Sequence, residues 1–216
     1  MQAEFWHTRW KDKELGFNQS QPNPLMKKYF PTLKLKSNAR VFVPLCGKSI
    51  DMLWLAQQGY RVIGVELSEI ACTDFFKENE LEHSVTLLET FSVFKSELIT
   101  LLVGDFFNLT RTLVGDIDAV YDRAGLIALP LEMRHNYSSF LAKLLNDKSQ
   151  MLLLTTVYNQ SEMQGPPFSV NAQEVKKCYG KELSIKEIYH KEFSDIPKHL
   201  KAKGLLSAVE HVFHLS

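Results

Sequence analysis

Apolar runs alternate with stretches of helical character along most of this chain. Runs of mostly consecutive apolar residues predict strands at residues 40–44, 61–65, 97–103, 117–121 and 150–158. Helices are predicted between or after them at residues 49–58, 69–79, 131–145 and 172–179. Continuous apolar runs are typical of strands covered on both faces. The pattern therefore predicts an α/β protein with a doubly wound, mostly parallel sheet.

The helix ends and the last part of the chain refine this expectation. Gly59 follows the first predicted helix and fits a helix C-terminus, and Ser68 fits the N-cap of the second. Residues 184–193 and 205–215 are rich in strand-forming residues, and no helix is predicted between them. These two segments are expected to form an antiparallel strand pair at the edge of the sheet.

Composition and charge exclude several classes of partner. The chain has 216 residues, of which 45% are hydrophobic, and its 25 basic residues balance 25 acidic ones. This length predicts a single domain over residues 1–216. A net charge of zero gives no general attraction for nucleic acid or anionic lipid, so neither is expected as a partner.

The cellular compartment follows from what the sequence lacks. No apolar run approaches the roughly 20 residues of a membrane span, and the first residues show no signal-peptide core. Cys46, Cys72 and Cys178 are widely spaced and contain no CxxC pair, which is typical of reduced thiols. A cytoplasmic protein is expected.

The candidate chemistry lies where the first two predicted strands end. Residues 41–52 read as a strand, a glycine turn and the start of a helix, and the second strand ends in Glu66. In such a βαβ unit a ligand binds across the carboxyl ends of the strands, where an acidic residue can accept hydrogen bonds from both hydroxyls of a ribose. Glu66 could instead be an ordinary strand-end carboxylate in a salt bridge.

The glycine turn narrows the choice of ligand. A P-loop needs a further glycine at the position of Phe42, inside the strand, so the turn is too short to wrap a triphosphate. The dinucleotide fingerprint G-x-G-x-x-G also fails, because Gly47 lacks partner glycines at the required spacings. A cofactor with a ribose but no phosphate fits better, and S-adenosylmethionine is the common one.

A second acidic residue follows the third predicted strand. The carboxylate of Asp105 and the ring of Phe106 could bracket an adenine. Alternatively, Asp105 caps a turn and Phe106 belongs to the core. Because Glu66 and Asp105 would end successive strands in register, the two favour adenosine binding more strongly than either does alone.

Several distinctive motifs follow one another along the chain. They are Phe5-Trp6-His7-Thr8-Arg9-Trp10, Gly16-Phe17-Asn18-Gln19, residues 43–52, residues 64–68, residues 118–126 and Gly165-Pro166-Pro167-Phe168. In this order they resemble the thiopurine S-methyltransferase family. The single-glycine turn Leu45-Cys46-Gly47-Lys48 is distinctive, since most methyltransferases of this fold have two or three glycines there. The resemblance is closest to compact bacterial members. It implies the Rossmann-like fold of class I S-adenosylmethionine-dependent methyltransferases and a monomer.

The resemblance also implies roles for individual residues. The positions that contact S-adenosylmethionine in the family correspond to Trp10, Leu45, Glu66, Asp105, Phe106 and Arg123. Phe17 matches an aromatic residue of an N-terminal lid, residues 1–24, which precedes the α/β core at residues 39–216. Phe17 and Arg123 are expected near the acceptor, and Pro167 and Phe168 would form a stiff wall for a flat heterocycle or simply a rigid loop. Residues 195–199 lack the arginine expected on the acceptor side.

The implied reaction makes limited demands on the protein. Methyl transfer from a sulfonium to sulfur is an in-line displacement that needs alignment and exclusion of water. Arg123 is predicted to favour the thiolate of an aromatic thiol and so to be the catalytic residue. Asp122 could accept a proton, but an ion pair with Arg123 is the preferred interpretation. Trp6 and Trp10 share one face of a helix, which could dock on the core. On the resemblance, Trp10 and Phe17 are interpreted as part of the lid.

Alternatives remain open. The same cofactor could serve other small acceptors, such as selenium or tellurium species, or the chain could be a non-catalytic S-adenosylmethionine-binding module. No metal site is expected, because His211 and His214 would point to opposite faces of a strand. Cys46 could be a reactive thiol at a helix start or a small apolar filler of the core.

Overall fold

The protein is described here by a computed structural model that covers residues 3–14, 16, 18–193 and 195–216. Phe17, which the sequence places near the acceptor, lies outside the described residues. The chain divides into two compact units, Met1–Tyr121 and Asp122–Ser216. The single domain expected over residues 1–216 stays a prediction.

The first unit begins with two helices and continues as alternating strands and helices. Its elements are α1 (Ala3–Lys11), α2 (Pro24–Tyr29), β1 (Arg40–Val43), α3 (Asp51–Gln57), β2 (Arg61–Glu66), α4 (Glu69–Glu78), β3 (Ser84–Leu87), β4 (Ser92–Lys95), β5 (Ile99–Val103), α5 (Arg111–Val114) and β6 (Ala119–Asp122). Short 3-10 helices lie at Phe30–Leu33 and Phe106–Asn108. The last residue of β6, Asp122, opens the second unit.

The strands of the first unit follow the order β3-β4-β5-β2-β1-β6. β1 pairs in parallel with β2 and β6, and β2 pairs in parallel with β5. The side chains of β1 and β2 are almost all buried, as their continuous apolar sequences predict. The predicted parallel strands of this unit are therefore confirmed, with ends that differ by one or two residues.

The hairpin of β3 and β4 extends the sheet and is absent from the sequence-based expectation. β4 pairs antiparallel with both β3 and β5. Every residue of β3 is exposed, so its sequence carries no buried stripe from which a strand could be recognised.

The second unit contains four described helices and an antiparallel set of strands. Its elements are α6 (Gly125–Ala128), α7 (Leu131–Leu144), β7 (Gln150–Val157), α8 (Ala172–Tyr179), β8 (Ile185–Glu192), α9 (Lys198–Lys201) and β9 (Val209–Leu215). β9 pairs antiparallel with both β7 and β8, which confirms the predicted antiparallel C-terminal pair.

The connection between β8 and β9 corrects one expectation. No helix was expected there, but α9 forms a single turn, and its Leu200 packs in a small buried cluster with Ile196 and Leu205. Four residues are too few to show helical periodicity in a sequence, so this helix depends on tertiary packing.

The predicted helix boundaries around β2 are confirmed in position. Gly59 adopts φ +83° just after α3, and its N–H donates to the Ala56 carbonyl at 2.9 Å. Ser68 occupies the N-cap of α4, but its side chain makes no capping hydrogen bond. Its backbone N–H instead donates to the carboxylate of Glu66, at 2.9 Å.

Gly64 in β2 gives a test of how tightly the sheet packs under the glycine turn. A Cβ at this position would lie 2.7 Å from Cys46 Sγ and 2.8 Å from a Leu101 methyl carbon. We expect Gly64→Ala to lower the free energy of unfolding by about 1–3 kcal/mol through overpacking. Urea denaturation monitored by circular dichroism would measure the change.

A matched background separates this clash from a general loss of sheet stability. In Cys46→Ala the sulfur is absent, so Gly64→Ala should lower the free energy of unfolding less there than in the wild type. Some loss should remain because the contact with Leu101 is still present. Equal costs in the two backgrounds would mean that the Cys46 side chain does not limit the space at Gly64.

Candidate cofactor site

The turn between β1 and α3 has an unusual backbone. Leu45 adopts φ +47° and Gly47 adopts φ +53°, both in the left-handed region. For a bulky residue such as leucine this conformation costs about 1–2 kcal/mol, so the surrounding contacts must hold it in place. The backbone N–H of Cys46 donates to the Val65 carbonyl at 2.9 Å, which ties the turn to β2.

The carboxylate of Glu66 provides the main attachment of this turn. Oε2 accepts a hydrogen bond from Gly47 N–H and Oε1 accepts one from Ser68 N–H, both at 2.9 Å. Glu66 is only 7% exposed. Burial raises the pKa of its carboxyl, and the hydrogen bonds from Ser68 and Gly47 act in the opposite direction. A single side chain thus links the ends of β2, the glycine turn and the start of α4.

Trp10 of α1 packs directly on the glycine turn. It is 3% exposed, and a Cβ added to Gly47 would lie 3.2 Å from its Cζ2 atom. A glycine at position 47 therefore avoids the strain that a larger residue would have at this positive φ, and it leaves room for the close approach of Trp10. Sequence reasoning placed Trp10 in the cofactor site through the family resemblance, and the structure brings it within contact of the same turn as Leu45 and Glu66.

Lys48 and Cys46 have roles in the turn that differ from phosphate binding and nucleophilic chemistry. Lys48 Nζ lies 2.5 Å from Glu78 Oε1 and 3.7 Å from Asp74 Oδ2, both on α4. Cys46 is buried, and desolvation raises the pKa of its thiol well above its usual value, which keeps it protonated. Of the two interpretations of Cys46, the buried filler agrees with this environment.

A buried carboxylate that sequence analysis did not single out supports the turn from below. Asp51, at the first residue of α3, is fully buried. Its Oδ1 accepts from Asn23 N–H at 2.7 Å, and its Oδ2 accepts from the Tyr121 hydroxyl at 2.9 Å. It therefore joins the segment before α2 to the end of β6. In the sequence, the only indication of its importance was its position inside the motif of residues 43–52, because its partners Asn23 and Tyr121 lie far away along the chain.

The segment after β5 lies beside Glu66. The N–H of Gly104 donates to the Glu66 carbonyl at 2.9 Å, so Asp105 follows directly beyond the level of Glu66, as predicted. Asp105 is exposed, and its Oδ1 accepts from Phe107 N–H at 2.9 Å. Phe106 is 3% exposed and Phe107 is 38% exposed. Within the protein, Asp105 therefore caps a turn and the Phe106 ring belongs to the core.

In the second unit, the end of β6 carries a buried polar network. Asp122 Oδ1 accepts from Gly125 N–H at 2.8 Å, and Oδ2 accepts from the Tyr137 hydroxyl at 2.8 Å. Burial raises the pKa of the Asp122 carboxyl to about 6, and the neighbouring charge of Arg123 is a smaller influence that lowers it. Arg123 follows directly and is half-buried. Asp122 thus fixes the turn from which Arg123 projects.

The loop with the predicted aromatic wall is also tied down within the second unit. The carbonyl of Pro167 accepts from the Tyr158 hydroxyl at 2.6 Å, and Phe168 N–H donates to the Ile127 carbonyl at 2.7 Å. The Phe168 ring packs against Gly165, where a Cβ would lie 2.6 Å from it. Pro167 and Phe168 are both half-buried.

Two further searches cover only the part of the chain that the structure describes. There, no cluster of three or more His, Cys, Asp or Glu side chains is arranged to hold a metal ion. Among the same residues, none of the helices has the length and apolar character needed to cross a bilayer.

Solved structures of other proteins identify the fold. A methyltransferase from Anabaena variabilis, described as SAM-dependent, superposes with a TM-score of 0.65 and 18% identity, covering 98% of this chain and 93% of that one. The magnesium protoporphyrin IX methyltransferase ChlM from Synechocystis, crystallised with bound SAH, gives a TM-score of 0.66 at 15% identity and covers 99% and 98%. The fold is that of S-adenosylmethionine-dependent methyltransferases.

Sequence comparison identifies the family. The family model described as Thiopurine S-methyltransferase (TPMT) matches residues 1–216. A thiopurine S-methyltransferase from Pseudomonas entomophila is 45% identical over 217 residues and covers 100% of both chains. One from Psychrobacter cryohalolentis is 43% identical over 223 residues, covering 100% of this chain and 99% of its own. The chain belongs to the thiopurine S-methyltransferase family.

The residues of the first unit fit the cofactor of such enzymes. Each Glu66 oxygen accepts one backbone N–H, and a carboxylate oxygen has capacity for a second hydrogen bond. The two oxygens of Glu66 can therefore accept hydrogen bonds from two ribose hydroxyls while keeping those from Gly47 and Ser68. The pairing of Lys48 with α4 also agrees with a cofactor that has no phosphate.

The Asp122 network predicts a specific dependence of stability on pH. Burial raises the pKa of this carboxyl from 3.8 to about 6, so the folded protein takes up the proton at a higher pH than the unfolded chain. The resulting stabilisation is fully present below the unfolded pKa and is lost as the pH rises through about 6. Relative to Asp122→Asn, the wild type should gain up to about 3 kcal/mol of unfolding free energy as the pH falls from about 7 to about 4.

Urea denaturation of both proteins across this pH range checks the expectation. Tyr137→Phe removes a hydrogen bond that lowers the pKa of Asp122, so the pH-dependent region should move to higher pH in that variant. A difference between wild type and Asp122→Asn that does not change with pH would contradict the proposed shift.

Proposed function

We propose that the protein transfers a methyl group from S-adenosylmethionine to the sulfur of aromatic or heterocyclic thiols. The observation that carries the proposal is the buried Glu66 carboxylate at the end of β2, bonded to the single-glycine turn, in a chain of the thiopurine S-methyltransferase family. The thiopurine S-methyltransferases of Pseudomonas entomophila and Psychrobacter cryohalolentis match essentially the whole chain, which supports the same activity here.

The proposed cofactor-binding residues are Trp10, Leu45, Glu66, Asp105, Phe106 and Arg123. Glu66 would accept hydrogen bonds from the ribose hydroxyls, and Asp105 and Phe106 would flank the adenine. Trp10 would cover the turn and exclude water. When bound, S-adenosylmethionine supplies a methyl group on a positively charged sulfur, ready for in-line displacement. Alignment of this kind can contribute roughly 7–11 kcal/mol to lowering the barrier.

The proposed catalytic residue is Arg123. Aromatic thiols are more acidic than alkyl thiols, and a fixed guanidinium beside the sulfur favours the thiolate further. Both oxygens of the neighbouring Asp122 accept hydrogen bonds from Gly125, Leu126 and Tyr137, which supports a positioning role for Asp122 rather than that of a general base. Phe17, Pro167 and Phe168 are the proposed contacts of the acceptor ring, together with Arg123.

The functions of Glu66 and Arg123 can be separated by mutation. Glu66→Ala should weaken binding of S-adenosylhomocysteine by about 10- to 100-fold, because two hydrogen-bond acceptors are lost. Arg123→Ala should lower kcat by about 100-fold and should lower this affinity by a smaller factor, because its main proposed role is to stabilise the thiolate nucleophile. Isothermal titration calorimetry and steady-state kinetics with an aromatic thiol measure the two quantities.

Controls come from exposed residues of the same charge that are not assigned to the site. Glu69→Ala in α4 and Arg111→Met in α5 should leave both affinity and turnover within about twofold of the wild type. Wild-type affinity in folded Glu66→Ala would remove Glu66 from the cofactor site, and wild-type turnover in Arg123→Ala would remove Arg123 from catalysis.

Product analysis decides between the proposed function and its alternatives. Incubation with S-adenosylmethionine labelled at the methyl group and an aromatic thiol should give the labelled thioether. Higher kcat/KM for selenium or tellurium species than for any thiol would favour the other small acceptors. Tight binding of S-adenosylhomocysteine without methylation of any acceptor would indicate a non-catalytic binding module.

The lid role of residues 1–24 also has a direct test. The chain has 3 tryptophans, and the double variant Trp6→Phe/Trp54→Phe retains only Trp10. Because Trp10 already packs on Gly47, binding of S-adenosylhomocysteine should protect it further from acrylamide quenching. If calorimetry shows binding but the quenching of Trp10 does not change, α1 does not close over the cofactor.

We further infer that the protein works as a cytoplasmic monomer on small molecules. The balance of 25 basic and 25 acidic residues supports the absence of nucleic-acid and membrane partners. Analytical ultracentrifugation tests the monomer, and weak binding to DNA and RNA that does not depend on salt would agree with the small-molecule role.

A further inference from the structure

Arg134 of α7 is an arginine in an unusual environment. It is 3% exposed, whereas an arginine is rarely buried unless its donors are satisfied. Its Nε donates to the Leu129 carbonyl at 2.7 Å, and its Nη1 donates to the Ser169 carbonyl at 3.4 Å. The same Nη1 forms an ion pair with Glu174 in the first turn of α8. One guanidinium thus binds three separate segments of the second unit.

The same guanidinium also contacts the aromatic ring that follows the two prolines. Arg134 Cζ lies 5.4 Å from the centroid of the Phe168 ring, a distance at which a cation interacts favourably with the ring. The ring also packs against Gly165, so its position is defined by contacts with two different parts of the unit. Phe168 remains half-buried, and therefore part of it is accessible to a ligand.

Residues 165–168, which we call the acceptor wall, depend on Arg134 for more than one contact. Ser169, whose carbonyl Arg134 binds, immediately follows the wall, and its N–H donates to Gln160 Oε1 at 2.9 Å. Leu129, the other carbonyl partner, lies two residues beyond Ile127, which accepts the N–H of Phe168. Both main-chain segments that fix Phe168 are therefore attached to the same side chain.

We propose that Arg134 is a positioning residue that holds the acceptor wall in the geometry needed to bind the acceptor ring. The inference rests on the proposed function, because the wall is assigned to the acceptor there. A buried ion pair by itself is weak evidence for a stability role, since apolar residues often pack as stably. The planar fork of arginine, in contrast, is suited to binding two carbonyls and a carboxylate while stacking on a ring.

Arg134→Lys is the informative substitution. Lysine keeps a positive charge for Glu174, but its single ammonium cannot reach both carbonyls and the Phe168 ring in the same geometry. We expect KM for an aromatic thiol to rise about tenfold, while kcat and the affinity for S-adenosylhomocysteine change by less than about threefold. A structural role alone would lower kcat, the affinity for S-adenosylhomocysteine and the melting temperature together, without a selective rise in KM.

Two further variants show how the effect is transmitted. Phe168→Leu should raise KM by itself, and Arg134→Lys should add little in that background if Arg134 acts through the ring. Glu174→Gln keeps the shape of the partner and should give a smaller rise in KM. Lys143→Met removes an exposed positive charge from the same helix and should match the wild type.

Hydrogen exchange gives a readout that does not depend on activity. The amides of Phe168 and Val170 donate to the carbonyls of Ile127 and Thr156, so they should exchange at least about tenfold faster in Arg134→Lys than in Lys143→Met. Unchanged exchange and unchanged KM in a folded Arg134→Lys variant would overturn this inference alone. A wild-type protein that binds S-adenosylhomocysteine but methylates no thiol would overturn the proposed function instead.

Discussion

The hydrogen bonds of the Glu66 carboxylate determine the arrangement of the strand ends in the first unit. The carboxylate accepts hydrogen bonds from the N–H groups of Gly47, in the β1–α3 connection, and Ser68, in the β2–α4 connection. Hydrogen bonds to an ionised acceptor are about twice as strong as neutral ones, and each N–H left without a partner in this buried place would cost about 1–3 kcal/mol. The left-handed backbone of Leu45 costs free energy, which the attachments of the turn to Glu66 and Val65 offset.

This attachment would also prepare the first unit for the proposed cofactor. In the proposed site the Glu66 carboxylate already holds the turn, so it would not have to be ordered on binding, and the entropic cost of that step would be reduced. Trp10 contributes to the same preparation by packing on Gly47. The absence of a side chain at Gly47 allows this close contact at a positive φ.

The predictability of these features follows the range of the interactions behind them. The strands β1, β2, β5 and β6 and the acidic residue that ends β2 could be read from the sequence, because apolar runs and their boundaries are local properties. The bonds from Asp51 to Asn23 and Tyr121, and the guanidinium contacts of Arg134, could not, because they join residues far apart along the chain. The exposed strand β3 and the single turn of α9 lack any periodicity to detect.

The pairing of Lys48 has a consequence for selectivity in the cell, where adenosine occurs mainly as nucleotides. In loops that bind triphosphates, the lysine after the glycine is available to the anion. Here Lys48 is only 9% exposed in its side chain and is held by Glu78 and Asp74 of α4. A phosphate brought to this turn would meet two carboxylates and would have to displace an ammonium group from them. We therefore expect charge at this turn to disfavour ATP relative to a cofactor that carries no phosphate.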